Sequence, residues 1–202
     1  MGEDRSRRHA GAISLRPIRS EDEGFLYEVY ASTRLDELAP LGWTAAQQEA
    51  FLRMQFAAQH RSYLAQFPAA VFLIILWHQR PIGRLYIERR TDEIRGIDIA
   101  LLAAYRQAGI GTAILQDLLA EAARAGKPFR LHVTKLNPAR RLYERLGFTT
   151  LVDDGVYLFM EWSPDKRELT RPNGNPSKPP RLPSTSSSRY LYHFHLELRH
   201  PW

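Results

Sequence analysis

The sequence has no cysteine among its 202 residues. That absence excludes disulfides, thiolate metal sites and a thiol nucleophile, and it fits a reducing, cytoplasmic setting. Long apolar runs are missing too. The longest, 69–77, has the length of a strand and falls far short of a bilayer. The residues before Ala12 carry arginines but no apolar core, so no signal peptide is expected. The formal charge is +6, yet residues 12–162 hold 18 basic and 17 acidic side chains. The excess lies at the ends, +1 in residues 1–11 and +4 in 163–202. No basic cluster interleaved with aromatics occurs between those ends, so neither nucleic acid nor membrane is expected as a partner. His193, His195 and His200 have no further ligand at metal spacing, and no metal is expected.

What is present is enough for one domain with a sizeable core, at 44% hydrophobic residues. Residues 1–11 lack periodicity and read as disordered. Ala12–Ile18 reads as a strand. Ser20 with Glu23 spells a capping box for a first helix, whose buried face would be Phe25, Leu26, Val29 and Tyr30. A link, 34–43, leads to a second box, Thr44 with Gln47, and a long helix stopped by Pro68. Three strands follow, 71–78, 82–89 and 94–102, joined by short turns as an antiparallel meander. A helix over 109–125 and a strand over 129–134 read as a crossover between parallel neighbours. Asn137 caps a short helix closed by Gly147, and Asp153-Asp154-Gly155 turns a last hairpin ending at Trp162. This order, βααβββαβαββ, is α+β. Residues 163–189 read as a Pro/Ser-rich linker. Residues 190–202 alternate like a strand, which could join a sheet edge of this or another copy, giving a homodimer, or could stay unpaired.

The chemistry concentrates at Arg106-Gln107-Ala108-Gly109-Ile110-Gly111, between the 94–102 strand and the helix. No acidic residue lies between Asp98 and Asp117. A glycine turn at a helix start offers unpaired backbone N–H groups and a positive dipole end, which suits a pyrophosphate. Arg106 could add a charged contact. The first glycine of a dinucleotide fingerprint is replaced by Arg106, and no Gly-Lys-Ser/Thr follows as in a Walker loop.

This hexapeptide resembles the acetyl-CoA loop of the GNAT N-acetyltransferases, written Arg/Gln-x-x-Gly-x-Gly/Ala. A second signature of that family is matched by 137–148, from Asn137 through Tyr143 to Gly147-Phe148. The resemblance covers residues 12–162. It implies the GNAT three-layer fold, a mixed central sheet with helices on both faces, and acetyl transfer from acetyl-CoA to an amine without a covalent intermediate. It further implies that Gln107, Ala108, Gly109, Ile110, Gly111 and Thr112 cradle the pyrophosphate with their backbone, beside Arg106. Ile99, Ala100 and Leu101 would pair with the pantetheine arm, and a backbone N–H near Leu101 would serve the thioester oxygen. Asn137 would bond the pantetheine amides, although its spacing to the tyrosine is one residue shorter than usual in the family.

Tyr143 occupies the position of the acid that protonates the leaving thiolate, with a phenol near its ordinary pKa. By pattern alone it belongs to an apolar stripe with Ala139, Leu142 and Leu146. Asp98 is the first candidate for general base, Glu88 the rival, His132 a third possibility and a water relay a fourth. Arg34, Asp36, Glu37 and Trp43 in the first link, and Asp153, Asp154 and Tyr157 in the last hairpin, fall where the family selects its acceptor. Arg34, Glu37 and Trp43 are the expected acceptor contacts. A small-molecule or amino acid-like amine is the expected acceptor. A protein N-terminus or lysine, or a non-catalytic acyl-CoA-binding module, are the alternatives.

Overall fold

The computed structural model describes residues 12–164. The expected disordered start, nearly all of the 163–189 linker and the strand-like 190–202 segment lie outside the described residues. The chain runs β1 (Ile13–Pro17), α1 (Glu23–Ser32), α2 (Leu35–Leu38), α3 (Ala45–Gln66), β2 (Val71–Trp77), β3 (Arg80–Arg89) and β4 (Ile94–Leu101). It continues through α4 (Ile110–Arg124), β5 (Phe129–Thr134), α5 (Arg140–Arg145), β6 (Thr149–Asp153) and β7 (Tyr157–Trp162). The strands form one seven-stranded sheet in the order β1-β2-β3-β4-β5-β7-β6. All neighbours are antiparallel except β4 and β5, the pair bridged by α4. That crossover is what the sequence predicts, since parallel neighbours need a long connection.

Helices cover both faces. Ile110, Ile114, Leu118 and Ala122 of α4, with Tyr143 of α5, pack on Ile75, Leu85, Ile87, Phe129 and Leu131. On the other face Leu26 and Tyr30 of α1 and Leu52 and Phe56 of α3 pack on Ile74, Leu76 and Tyr86. The result is the three-layer α+β arrangement expected. Each fully buried Leu, Ile or Phe contributes about 1.5–3 kcal/mol, so both layers matter to stability.

Three local expectations change. The Ser20/Glu23 box does not form. Asp22 is held by Arg16 through two contacts of 2.6 and 2.7 Å and accepts the Arg19 N–H at 2.8 Å, so a 3-10 turn over Ser20–Asp22 precedes α1. The link after α1 contains the four-residue α2 and a 3-10 turn, Ala39–Leu41, closed by Gly42 at φ 65°. The second box forms as read: Thr44 N–H donates to Gln47 Oε1 at 2.9 Å and Gln47 N–H to Thr44 Oγ1 at 3.3 Å.

The third change is at the β2–β3 turn. Trp77 pairs with Arg80, leaving His78 and Gln79 as a two-residue loop with φ of 47° and 65°. Both central residues are left-handed, as the twist of a tight hairpin demands, but neither is glycine or asparagine. Each left-handed L-residue costs roughly 1–2 kcal/mol, offset in glycine by about 0.5–1 kcal/mol of chain entropy. Gln79→Gly is therefore expected to stabilise the protein by about 0.5–1 kcal/mol, read as a higher urea midpoint at unchanged slope. A lower midpoint would contradict this account of the turn.

Candidate functional site

The site begins where β4 and β5 part. They pair only at Ile94–Phe129, Arg95–Arg130 and Gly96–Leu131. Beyond that point β4 runs on to Leu101 and β5 to Thr134 without pairing to each other. The cause is visible in the β3–β4 ladder. Tyr86 faces Asp98 and Ile87 faces Gly96, so Ile97 is an extra residue, a β-bulge. A bulge bends its strand and sharpens its twist, which carries β4 away from β5. Gly96 sits at the last pair because a Cβ there would meet the Phe129 ring at 2.8 Å. Ile99, Ala100 and Leu101 thus keep β3 on one side and border the split on the other.

The glycine loop closes the wide end of this split. Gln107 and Gly109 are left-handed, at φ 60° and 87°. The first intrahelical bond of α4 runs from Ala113 N–H to Gly109 O at 3.0 Å, so the N–H groups of Ile110, Gly111 and Thr112 precede the helical ladder. A Cβ on Gly111 would meet nothing within 4 Å. Nothing in the protein's own packing calls for glycine there, and without a side chain the backbone is left open to close approach. Arg106 stays exposed and folds back on the loop's flanks: its Nε donates to Leu101 O at 2.8 Å and its Nη2 to Ser32 O at 2.9 Å and Ser32 Oγ at 3.0 Å. It ties the loop to the end of β4 and to the last turn of α1, where a cation also complements the helix dipole.

Tyr143 is 7% exposed and packs edge-on against Phe148 at 5.5 Å between centroids. Burial pushes its phenol well above the ordinary range, and the Asp98 carboxylate adds to the shift. The expectation of a near-ordinary phenol is therefore corrected: low-dielectric surroundings disfavour the tyrosinate. The apolar stripe is real as well, since Ala139, Leu142 and Leu146 border the same core.

The two carboxylates expected to compete for the base are separated by the bulge. Glu88 is bonded to Arg90 and lies opposite Arg95, in the closed part of the sheet where β4 still pairs with β5. Asp98 lies at the opening. Its Oδ2 is 2.6 Å from Nη2 of Arg84, a residue only 4% exposed, which also donates to Gln59 Oε1 at 3.2 Å. His132 stacks on Phe159 at 4.6 Å, and its Nδ1 lies 3.3 Å from Arg95 Nη1. Burial and then Arg95 push its pKa down to about 4, so it is neutral at pH 7. Asn137 spends its side-chain oxygen on the Ala139 N–H at 2.8 Å in a turn ahead of α5, whose N-cap is Ala139, so the expected cap at Asn137 with Pro138 as first helical residue is not formed.

In the first link Arg34 pairs with Glu37 at 2.6 Å and stands 5.9 Å from the Tyr30 ring centre. Trp43 packs edge-on to Phe51 at 5.1 Å. Arg84 approaches the same Tyr30 ring, at 6.0 Å, so that ring joins the link to the Asp98 cluster. In the last hairpin Asp153 takes Lys135 at 2.7 Å and Asp154 accepts the N–H groups of Val156 and Tyr157. These carboxylates organise the turn. Among the described residues no group of three or more metal-ligating side chains is assembled, and no helix is long and apolar enough to cross a membrane.

Sequence reading passed over Arg84, Tyr63 and Tyr86. The available signal was a lone arginine inside Ile82–Ile87, a stretch otherwise suited to burial. Burial raises the phenols of Tyr63 and Tyr86, the latter to about 12, and Asp98 contributes to both shifts. With Tyr143 these phenols keep their protons in the fold above pH 10, while in the unfolded chain they ionise near there. The unfolded state then binds fewer protons than the native one, so stability falls as pH rises. The expected slope is up to about 4 kcal/mol per pH unit above about pH 10 while all three stay protonated. Urea midpoints between about pH 8 and pH 11 test this; a midpoint that stays level through that range contradicts it.

Residues 33–148 match the acetyltransferase (GNAT) family. No curated protein matches the sequence significantly. Among solved structures, the PaiA N-acetyltransferase of Thermoplasma acidophilum, in complex with coenzyme A, is similar at TM-score 0.58 and 20% identity, covering 75% of this chain and 99% of that one. An acetyltransferase of Thermus thermophilus reaches 0.56 at 18% identity, over 77% and 99% of the two chains. A Corynebacterium glutamicum protein described as histone acetyltransferase HPA2 and related acetyltransferase reaches 0.53 at 20%, over 86% and 99%. At such identities the likeness speaks for the fold, and the family follows from the match over 33–148: the chain belongs to the acetyltransferase (GNAT) family.

Proposed function

We propose that this acetyltransferase moves the acetyl group of acetyl-CoA to the primary amine of a small-molecule or amino acid-like acceptor, by direct attack in a ternary complex. The observation that carries the reading is the bulge-driven split between β4 and β5, open beside a glycine loop with unpaired N–H groups. Acetyl-CoA supplies an activated thioester carbonyl. The N–H groups from Gln107 to Thr112 suit its pyrophosphate, and the open space at Gly111 leaves room for the close approach. The strand edge at Ile99, Ala100 and Leu101 suits the amides of its pantetheine arm, with Asn137 across the split. Arg106 shapes the loop through Leu101 and Ser32.

In the reaction a C–N bond forms and a C–S bond breaks, and one proton passes in net from nitrogen to sulfur. Asp98 receives the amine's proton, directly or through water, and Tyr143 gives its own to the leaving sulfur. Holding both reactants in one split supplies most of the rate. Arg34, Glu37 and Trp43 contact the acceptor, and the Arg34–Glu37 pair is joined to Asp98 through Tyr30 and Arg84.

Calorimetry with acetyl-CoA tests the donor site. Thiol release then tests turnover with a panel of alkyl amines, a diamine, amino acids and short peptides with free N-termini. The reading requires binding and thiol release with a small amine. Release with peptides alone moves the acceptor to protein termini. Binding without release by any amine makes the chain an acyl-CoA-binding module, and no binding by folded protein ends the transferase reading.

A further inference from the structure

Arg84 is hard to explain as packing. It lies in mid-β3 between Ile82 and Ile87, where every neighbour is buried, and it is 4% exposed. A buried ion pair is commonly no better for stability than hydrophobic residues of the same volume. Here it is also incompletely satisfied: Arg84 Nε, Tyr86 Oη and His60 Nδ1 are buried with no hydrogen-bond partner. Each such atom costs about 1–3 kcal/mol. A fold selected for its core alone would place a hydrophobe at this position.

What Arg84 does hold is Asp98, at 2.6 Å, next to the bulge that opens the split. Gln59 of α3 accepts from the same Nη2, and the Tyr86 and Tyr30 rings lie 5.4 and 6.0 Å from the guanidinium carbon. The guanidinium therefore has a fixed place, and so does the carboxylate bound to it. We propose that Arg84 is a positioning residue of the acetyl transfer, holding the Asp98 carboxylate in place at the β4–β5 split so that it takes the proton of the attacking amine. This rests on the transferase reading above. Without the guanidinium, the carboxylate would lose the contact that fixes its position beside the bulge. The groups facing Asp98 are Arg84 and Tyr86 from β3, Tyr63 from α3 and Tyr143 from α5; His60 feels Arg84.

In the transfer Tyr143 gives its proton to the sulfur as the C–S bond breaks. The proton on Asp98 then leaves to solvent and Tyr143 is reprotonated from it, so the cycle balances.

The test compares wild type with Arg84→Met, Arg84→Lys and Asp98→Asn in the full chain. It reads thermal melting, acetyl-CoA affinity, and kcat and acceptor KM with the fastest acceptor of the amine panel. Arg84→Met is expected to bind acetyl-CoA within about twofold of wild type and to lose at least about tenfold in kcat, with acceptor KM within about twofold. Arg84→Lys should recover part of that loss, and Asp98→Asn should lose at least as much as Arg84→Met. A folded Arg84→Met with unchanged kcat, or with its loss in acceptor KM alone, overturns the proposal, as does Asp98→Asn with wild-type turnover. If Arg84→Met does not fold, Arg84→Lys decides: a lower kcat at unchanged acceptor KM supports the role, wild-type kcat refutes it. Wild type that fails to bind acetyl-CoA ends the transferase reading itself, which keeps the two failures distinct.

Discussion

Gly111→Glu is expected to weaken acetyl-CoA binding at least about a hundredfold while leaving the melting temperature within a few degrees of wild type. The two halves of that expectation have separate physical grounds. The fold is spared because a Cβ at position 111 meets nothing within 4 Å. Gly111 is already inside α4, in its first turn, where a carboxylate complements the helix dipole by about 0.3–1 kcal/mol. Binding is lost because the same carboxylate sits among the N–H groups assigned to the pyrophosphate and repels its charge. Gly109 gives a less clean test. Its φ of 87° strains any side chain, so a loss of binding there mixes with a change in the loop. Gly111→Ala, which adds bulk without charge, should fall between wild type and the glutamate variant. Calorimetry on all three, beside thermal melts, reads the result. A glutamate variant that binds acetyl-CoA as wild type does would remove the loop from the donor site.

Much of this architecture is legible from the chain, and the parts that are not share one cause. Short turns and alternating runs gave the meander, and the length between β4 and β5 required a crossover, so the parallel pair followed. The turn into α4 was readable because Gly109 and Gly111 stand at a helix start, where Gly109 takes a left-handed φ of 87°. The central strands resist such reading. β3 is buried on both faces from Ile82 to Glu88, so a period of two carries no face information there. The decisive feature, the bulge at Ile97, leaves no mark in composition. Yet it reverses parity: Arg95 lies opposite Glu88 and Asp98 opposite Tyr86, three residues apart in β4 but on the same face. In a regular strand Asp98 would point the other way, away from Arg84. Sequence could name Asp98 and Glu88 as rivals. Only the register says which one stands at the opening, and which buried arginine holds it. The Ser20/Glu23 box failed for a related reason, since Arg16 on β1 captures Asp22 across six residues and fixes the helix start from outside it.

Tyr143→Phe carries the other large effect: kcat should fall about a hundredfold, with acetyl-CoA affinity unchanged. Phenylalanine preserves the ring that packs against Phe148, so neither the fold nor the donor site has reason to change. It removes only the O–H, and with it the proton for the leaving sulfur. The loss then belongs to the transition state and not to binding, which is the signature of kcat falling at constant affinity. The pH dependence sharpens the point. Burial and Asp98 both hold the phenol protonated, so wild-type kcat should show no basic limb from Tyr143 below about pH 10. A thioester whose leaving thiolate is less basic needs less help from an acid. With such a donor the gap between wild type and the phenylalanine variant should narrow. If the variant turns over acetyl-CoA at the wild-type rate, the phenol is only part of the core and the sulfur takes its proton from water. If the rate falls and the less basic leaving group restores it, Tyr143 is the acid.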